Sequence, residues 1–373
     1  MSTSKNIKIL LTGGGTGGHV FPAIAIADAI KQLQPEAEFM FVGAQGKMEM
    51  ERVPQAGYAI EGLPVAGFQR GFSLRSLQRN LSFPFKLFSS LWKARQILRR
   101  FRPDVVVGTG GYASGPVMRM AQQMGIPTVI QEQNSLPGVT NRLLAQKATL
   151  ICVAYDHMDQ FFPKEKIQWL GNPVRDSLLN LEEKRAEALA HFGLDAQKQT
   201  VYLTGGSLGA RTLNQATEQA FDVLKDNSGI QVLWQCGRMY AGQMEQSKTA
   251  KLEQVQLLPF VDRMDLAYAA ADVVIARSGA LTISELCAAG KATILVPSPN
   301  VAEDHQTKNA QALTEKEAAW MVADADAPKD LWTTSLELLN NKAKQLQLQT
   351  NIKKLGKPNA AHAIAKAVLA SIK

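Results

Sequence analysis

Ile9-Leu-Leu-Thr-Gly-Gly-Gly-Thr-Gly-Gly18 runs an apolar segment into a cluster of glycines, and helical spacing follows over residues 23–33. A strand that turns through glycines into a helix aims backbone N–H groups at the positive end of that helix, where an anion is stabilised. A second such stretch, Val201-Tyr-Leu-Thr-Gly-Gly-Ser-Leu-Gly-Ala210, opens the other half of the chain. Around the first, β-rich runs at 7–12, 38–42, 105–108 and 128–132 alternate with helical patterns, which predicts a parallel sheet flanked by helices. Around the second, 200–204, 231–236, 255–258, 273–276 and 293–296 repeat the grammar, and Gly171-Asn172-Pro173 between them suits an interdomain turn. The expected fold is α/β, two Rossmann-like domains facing a central cleft. The expected domains are 1–172 and 173–355, with a C-terminal helix within 356–373 that packs back on the first domain.

The length of 373 residues and an apolar fraction of 46% suit two cores. Cys152, Cys236 and Cys287 are scattered through apolar surroundings without CxxC spacing, so they read as buried thiols in a reducing compartment. The first residues are polar and lead into only a short apolar run, too brief for a signal peptide or a membrane span, which predicts a cytosolic protein. The net charge of +8 is concentrated. No carboxylate lies between Glu61 and Asp104, where Arg70, Arg75, Arg79, Lys86, Lys93, Arg95, Arg99, Arg100 and Arg102 cluster. Within that region Leu81, Phe85, Phe88, Leu91 and Trp92 recur at helical spacing, flanked by Lys86, Lys93 and Arg95. Such a helix packs on its own core or, being basic and amphipathic, rests on anionic lipid. Nucleic acid is not expected, because no RNA- or DNA-binding signature accompanies the charge.

Gly13, Gly15 and Gly18 also fit the dinucleotide fingerprint, but the second strand ends in Gly43-Ala44-Gln45 without the acidic residue that would hold a ribose. Neither glycine turn carries the Gly-Lys-Ser/Thr ending of a P-loop. His19, beside the first turn, suits a general base that takes a proton from a substrate hydroxyl, or equally a structural histidine. Glu285, in the run Ala276-Arg-Ser-Gly-Ala-Leu-Thr-Ile-Ser-Glu285, can accept hydrogen bonds from two ribose hydroxyls. Glu303-Asp304-His305-Gln306 suits either sugar hydroxyls or an ordinary loop. The only short Asp-x-Asp, Asp324-Ala-Asp326, reads as a surface loop, so no metal and no cofactor is expected. Helix N-termini and basic side chains, Arg175 among them, would then stabilise a leaving diphosphate.

Six motifs in order, Gly13-Gly-Gly-Thr-Gly-Gly-His19, Gly108-Thr-Gly-Gly-Tyr-Ala-Ser-Gly-Pro116, Glu132-Gln-Asn-Ser-Leu-Pro-Gly138, Gly171-Asn-Pro-Val-Arg175, Gly205-Gly-Ser-Leu-Gly-Ala210 and Ser278-Gly-Ala-Leu-Thr-Ile-Ser-Glu285, span nearly the whole chain. Together they resemble the MurG family of GT-B glycosyltransferases. The resemblance implies inverting transfer of N-acetylglucosamine from UDP-GlcNAc to the 4-hydroxyl of a polyprenyl-diphosphate-linked muramoyl-pentapeptide, forming lipid II. It implies donor contacts from Thr16, Gly17, Gly18, Asn134, Arg175, Ser207, the backbone near Val261, Ala280, Leu281, Thr282, Ile283, Ser284, Glu285 and Gln306. It also implies acceptor contacts from Tyr112 and Glu132, and catalysis by His19 with Glu132 as its partner or substitute. The implied setting is the cytoplasmic face of the bacterial inner membrane, bound peripherally to anionic lipids, with cell-wall and division proteins as partners. Another nucleotide-sugar enzyme of the same architecture acting on a lipid acceptor is the alternative.

Overall fold

The protein is described by a computed structural model over residues 6–65, 83–174, 176–178, 180–301 and 304–372. It divides into two units, residues 1–174 together with 359–373, and residues 175–358. In the first unit β1 (Lys8–Gly13), β2 (Glu38–Ala44), β3 (Ile60–Leu63), β4 (Val105–Gly110), β5 (Thr128–Glu132), β6 (Leu150–Val153) and β7 (Ile167–Trp169) form one sheet in the order β3-β2-β1-β4-β5-β6-β7. All pairs are parallel, and Leu10 of β1 lies between Met40 and Val106. Helices cover both faces of such a sheet, which is why its central strands read as unbroken apolar runs.

On one face α1 (Gly17–Leu33) and the C-terminal helix Ala360–Ala370 bury Ile26, Ile30, Ile364 and Val368 against Ile9 and Leu11. The small residues Ala361 and Ala365 are buried beside them and let the C-terminal helix approach α1 closely. The last residues of the chain therefore belong to the first unit. Following β2, α2 (Glu49–Gln55) starts with the fully buried Glu49. On the other face α3 (Phe83–Phe101), α4 (Ser114–Gln123) and α5 (Val139–Ala145) pack Leu98, Val117 and Leu144 over Leu10, Val106 and Ile130.

The second unit repeats the plan with β8 (Gln199–Thr204), β9 (Ile230–Gln235), β10 (Val255–Leu258), β11 (Val273–Ala276), β12 (Ala292–Leu295) and β13 (Trp320–Met321), again parallel, in the order β10-β9-β8-β11-β12-β13. Each sheet thus grows in one direction from its first strand and then restarts on the other side. The switch lies between β1 and β4 in the first unit and between β8 and β11 in the second. Outside the carboxyl ends of the strands at such a switch, loops diverge and leave room for a ligand.

All three cysteines are free and buried. Burial pushes the thiols of Cys152 and Cys287 up to about 12, so neither is an ionised nucleophile at neutral pH. Among the described residues no helix is long and apolar enough to cross a membrane.

Candidate active site

At the β1–β4 switch the glycine turn after β1 reaches the N-terminus of α1. Thr16, in extended conformation, is the N-cap, and its carbonyl accepts from the amides of His19 and Val20. The Gly17 and Gly18 amides donate to no acceptor among the described residues, and open N–H groups at a helix N-terminus can bind an anion. Gly15 does not join them: its amide donates to both carboxylate oxygens of Glu49, at 3.2 and 3.1 Å, and Glu49 also accepts from Ala44 N at 2.9 Å. The neighbouring turn from β4 lies hard against this loop. At Gly111, where φ is +83°, a Cβ would sit 2.1 Å from the Gly14 carbonyl oxygen, so only glycine fits. Tyr112 follows, 58% exposed.

His19 is half-buried on the first turn of α1. Its Nδ1 lies 2.9 Å from the Thr109 carbonyl oxygen and 3.1 Å from Gln133 Oε1. Two acceptors at one ring nitrogen require that nitrogen to carry the hydrogen, which leaves the Nε2 lone pair to receive a proton. The expected pairing of His19 with Glu132 does not occur. Glu132 is 1% exposed, and its Oε1 accepts from Asn134 N (3.0 Å) and Asn134 Nδ2 (3.2 Å). Its Oε2 accepts from Gly138 N (3.1 Å) and Asn141 Nδ2 (2.8 Å). With both oxygens taken by these N–H donors and its surface covered, Glu132 holds the loop after β5 in place. Asn134, half-buried at the loop's start, is positioned by it.

In the second unit the turn after β8 is clamped by Gln235, which accepts from the Thr204 hydroxyl (3.0 Å) and donates to the Gly206 carbonyl (3.1 Å). At Gly209, with φ +76°, a Cβ would fall 2.0 Å from the Cys236 carbonyl oxygen. This leaves Ser207 and Leu208 exposed at the turn ahead of α6 (Arg211–Glu218), whose N-terminus has no side-chain cap. Across the switch β11 leads through Ser278 and Gly279 into α7 (Ala280–Ala289), also without a side-chain cap. Ser278 is buried and its hydroxyl donates to the Gln306 carbonyl at 2.9 Å, tying α7 to α8 (His305–Thr314). The Gln306 side-chain oxygen accepts from Ser298 N at 2.9 Å, which directs its amide nitrogen away from that backbone.

Ala280 and Ile283 face the core, while Leu281, Thr282, Ser284 and Glu285 are half-buried. The Glu285 carboxylate accepts from the Tyr268 hydroxyl at 3.4 Å. Val261 has its side chain in the core. Asp324 lies in a turn over residues 324–326 where Ala325 and Asp326 are exposed; Arg277 pairs with it and Thr212 Oγ1 donates to it at 3.0 Å. Arg175, Glu303 and Leu81 lie outside the described residues, as does the side chain of Phe85.

Of the residues expected on one face of helix α3, Phe88, Leu91 and Trp92 can be placed. Ser90, Ala94, Ile97 and Leu98 are buried, and Leu91 packs partly against the core, whereas Phe88 (74%) and Trp92 (60%) stand exposed one turn apart. Lys86 and Arg95 are exposed beside them, but Lys93 turns back to donate to the Gly62 carbonyl at 2.8 Å.

The model of the glycosyltransferase family 28 N-terminal domain matches residues 9–153, and that of the family 28 C-terminal domain matches residues 200–364. The chain belongs to glycosyltransferase family 28. A protein of Flavobacterium psychrophilum named UDP-N-acetylglucosamine–N-acetylmuramyl-(pentapeptide) pyrophosphoryl-undecaprenol N-acetylglucosamine transferase is 52% identical over 363 residues, 97% of each chain. Its namesake from Bacteroides thetaiotaomicron is 50% identical over 367 residues, 98% of each. Among solved structures, Acinetobacter baumannii MurG superimposes with a TM-score of 0.76 at 27% identity, covering 98% of this chain and 99% of that one. A UDP-GlcNAc 2-epimerase from Neisseria meningitidis shares the fold, with a TM-score of 0.69 at 13% identity over 98% of this chain and 100% of that one. In this family 28 chain the first switch point joins Gly17, Gly18, His19 and Tyr112, and the second joins the turn at Ser207 with α7. Sequence reasoning passed over Glu49, Thr109 and Gln133. Gln133 lies within the Glu132–Gly138 motif, yet nothing local marks it as the partner of a histidine 114 residues away.

Proposed function

We infer that this chain transfers N-acetylglucosamine from UDP-GlcNAc to the 4-hydroxyl of undecaprenyl-diphospho-N-acetylmuramoyl-pentapeptide, lipid I, forming lipid II. Membership of family 28 and about half identity to full-length transferases of that name support the reaction. The observation that carries the mechanism is the available Nε2 of His19 at the first switch point. His19 Nε2 takes the proton of the acceptor hydroxyl as its oxygen bonds to the anomeric carbon. The bond from that carbon to the β-phosphate oxygen breaks on the opposite face, and UDP leaves with the electron pair. Displacement from one side inverts an α-linked donor to a β-linked product.

In this reading Glu285 accepts hydrogen bonds from the ribose hydroxyls, and the exposed turn at Ser207 and the open N-terminus of α7, from Ala280 through Ser284, serve the nucleotide. Thr16, Gly17, Gly18, Asn134, Arg175, Gln306 and the backbone near Val261 complete the donor contacts, and Tyr112 serves the acceptor. Open helix N-termini can stabilise charge on a departing diphosphate by several kcal/mol, ~3 kcal/mol for a single well-placed donor. The Phe88 and Trp92 pair, with Lys86 and Arg95, docks on the anionic cytoplasmic face of the inner membrane, where the lipid-linked acceptor resides.

The test is transfer of radiolabelled N-acetylglucosamine to a short-chain analogue of the muramoyl-pentapeptide lipid, with UDP-glucose and an acceptor lacking the muramoyl unit as controls. Transfer requiring both the N-acetyl donor and the muramoyl acceptor supports the reading. UDP binding without transfer would move it to another nucleotide-sugar enzyme. His19→Ala should lower kcat by about 10²–10⁴-fold, and near-normal turnover would remove His19 as the base.

A further inference from the structure

We propose that Gln133 is a positioning residue for His19, its side-chain oxygen holding the imidazole with hydrogen on Nδ1 and the lone pair on Nε2. The proposal rests on the reading of His19 as the base. Gln133 is 1% exposed, and the direction of its amide is set by what surrounds the nitrogen. Nε2 of Gln133 donates to the carbonyls of Thr109 (2.8 Å) and Gln131 (3.0 Å) and to the side-chain oxygen of Gln131. Reversing the amide would put oxygen against three oxygens, so Oε1 must be the atom turned to His19.

The network beyond closes on itself. Gln131 Nε2 donates to Asn172 Oδ1 at 2.9 Å, and Asn172 Nδ2 donates to the Gln133 carbonyl at 3.0 Å. Asn172 is 3% exposed and Gln131 fully buried, so water does not compete for these partners. The Thr109 carbonyl accepts from both Gln133 Nε2 and His19 Nδ1, which makes the glutamine and the carbonyl a two-point seat for one ring nitrogen. A metal-free histidine base is oriented by the bond its other nitrogen makes, a duty often given to a carboxylate. Here an amide does it. A neutral acceptor fixes the ring's orientation and tautomer without setting a full negative charge against it.

The titratable groups on the elements around the ring are Glu132 at the end of β5, Glu49 on α2 and Tyr112 after Gly111. Both carboxylates hydrogen-bond elsewhere, and Tyr112 is mostly exposed. Gln133 is therefore the side chain whose loss should be felt at Nδ1.

Gln133→Met keeps the length of the side chain and removes its polar atoms. Imidazolium loses one acceptor while the neutral ring is the active form, so the acid limb of the kcat/KM profile should move to lower pH. A kcat lowered by about tenfold or more, with KM for UDP-GlcNAc unchanged, should accompany the shift. Nitrogen-15 NMR of the full chain, with His19 assigned by difference from a His19→Gln variant, should show Nδ1–H in the parent and a downward-shifted titration in Gln133→Met. A parent ring with hydrogen on Nε2, or a His19 titration that does not move in the variant, overturns the proposal. Gln133→Asn, which keeps an amide but cannot reach, supplies the same readout if the methionine variant does not fold. Turnover retained in His19→Gln would sink the base reading, while the titration still decides what Gln133 does.

Discussion

At Glu132 one carboxylate accepts four hydrogen bonds, from the amides of Asn134 and Gly138 and the side chains of Asn134 and Asn141, while its neighbour Gln133 faces His19. Glu132 is the last residue of β5 and Gln133 the first beyond it, so a one-place difference in sequence becomes a difference in duty. Removing the carboxylate strands buried donors, each costing ~1–3 kcal/mol. Glu132→Ala should therefore lower the unfolding free energy by ~3 kcal/mol or more in urea denaturation, and Glu132→Gln, which turns an amide nitrogen toward donors, should also destabilise. A Glu132→Gln variant of parental stability and no turnover would restore Glu132 as a proton acceptor. The residue types in Glu132-Gln-Asn134 were legible, and their chemistry was not, because acid and amide are both plausible partners of a histidine until the direction of each side chain is known.

Among the elements, the longer strands were the most legible: β5, β10 and β11 span the residues read from the sequence, β2, β4 and β8 differ by one or two residues at one end, and β1, β9 and β12 are shifted by one residue. The strands not anticipated, β3, β6, β7 and β13, are two to four residues long, too short for a periodic pattern to stand out. Helix α3 shows the opposite limit. Its aromatic spacing was visible, but the face turned to the sheet is the one carrying Ser90 and Ala94, where small side chains allow close approach, and Phe88 and Trp92 are left outside. Burying two such rings in a bilayer contributes ~1.5–3 kcal/mol each. Phe88→Ser with Trp92→Ser should weaken binding to anionic vesicles about 10²-fold or more in a sedimentation assay, with the thermal midpoint within about 2 °C of the parent. A collapse of the midpoint without loss of vesicle binding would show that the pair supports the fold instead.

For the whole molecule, the C-terminal helix decides which residues make the first unit. Ile364 is fully buried against the same core as Ile26 and Ile30 of α1, although more than three hundred positions separate them. Ile364→Ala should cost ~2–5 kcal/mol, read as a lower unfolding midpoint of the first unit, and an unchanged midpoint would mean the helix is not part of that core. From the amino-acid sequence alone follow two α/β units, glycine turns poised for anions, a candidate base and a family, because strand, turn and helix signals act between near neighbours. The seat of His19, the anchoring of its loop by Glu132, the diversion of the Gly15 amide to Glu49 and the exposed face of α3 were decided only by tertiary structure. Thr109 and Gln133 lie 90 and 114 residues from the histidine they hold, and only folding brings such partners together.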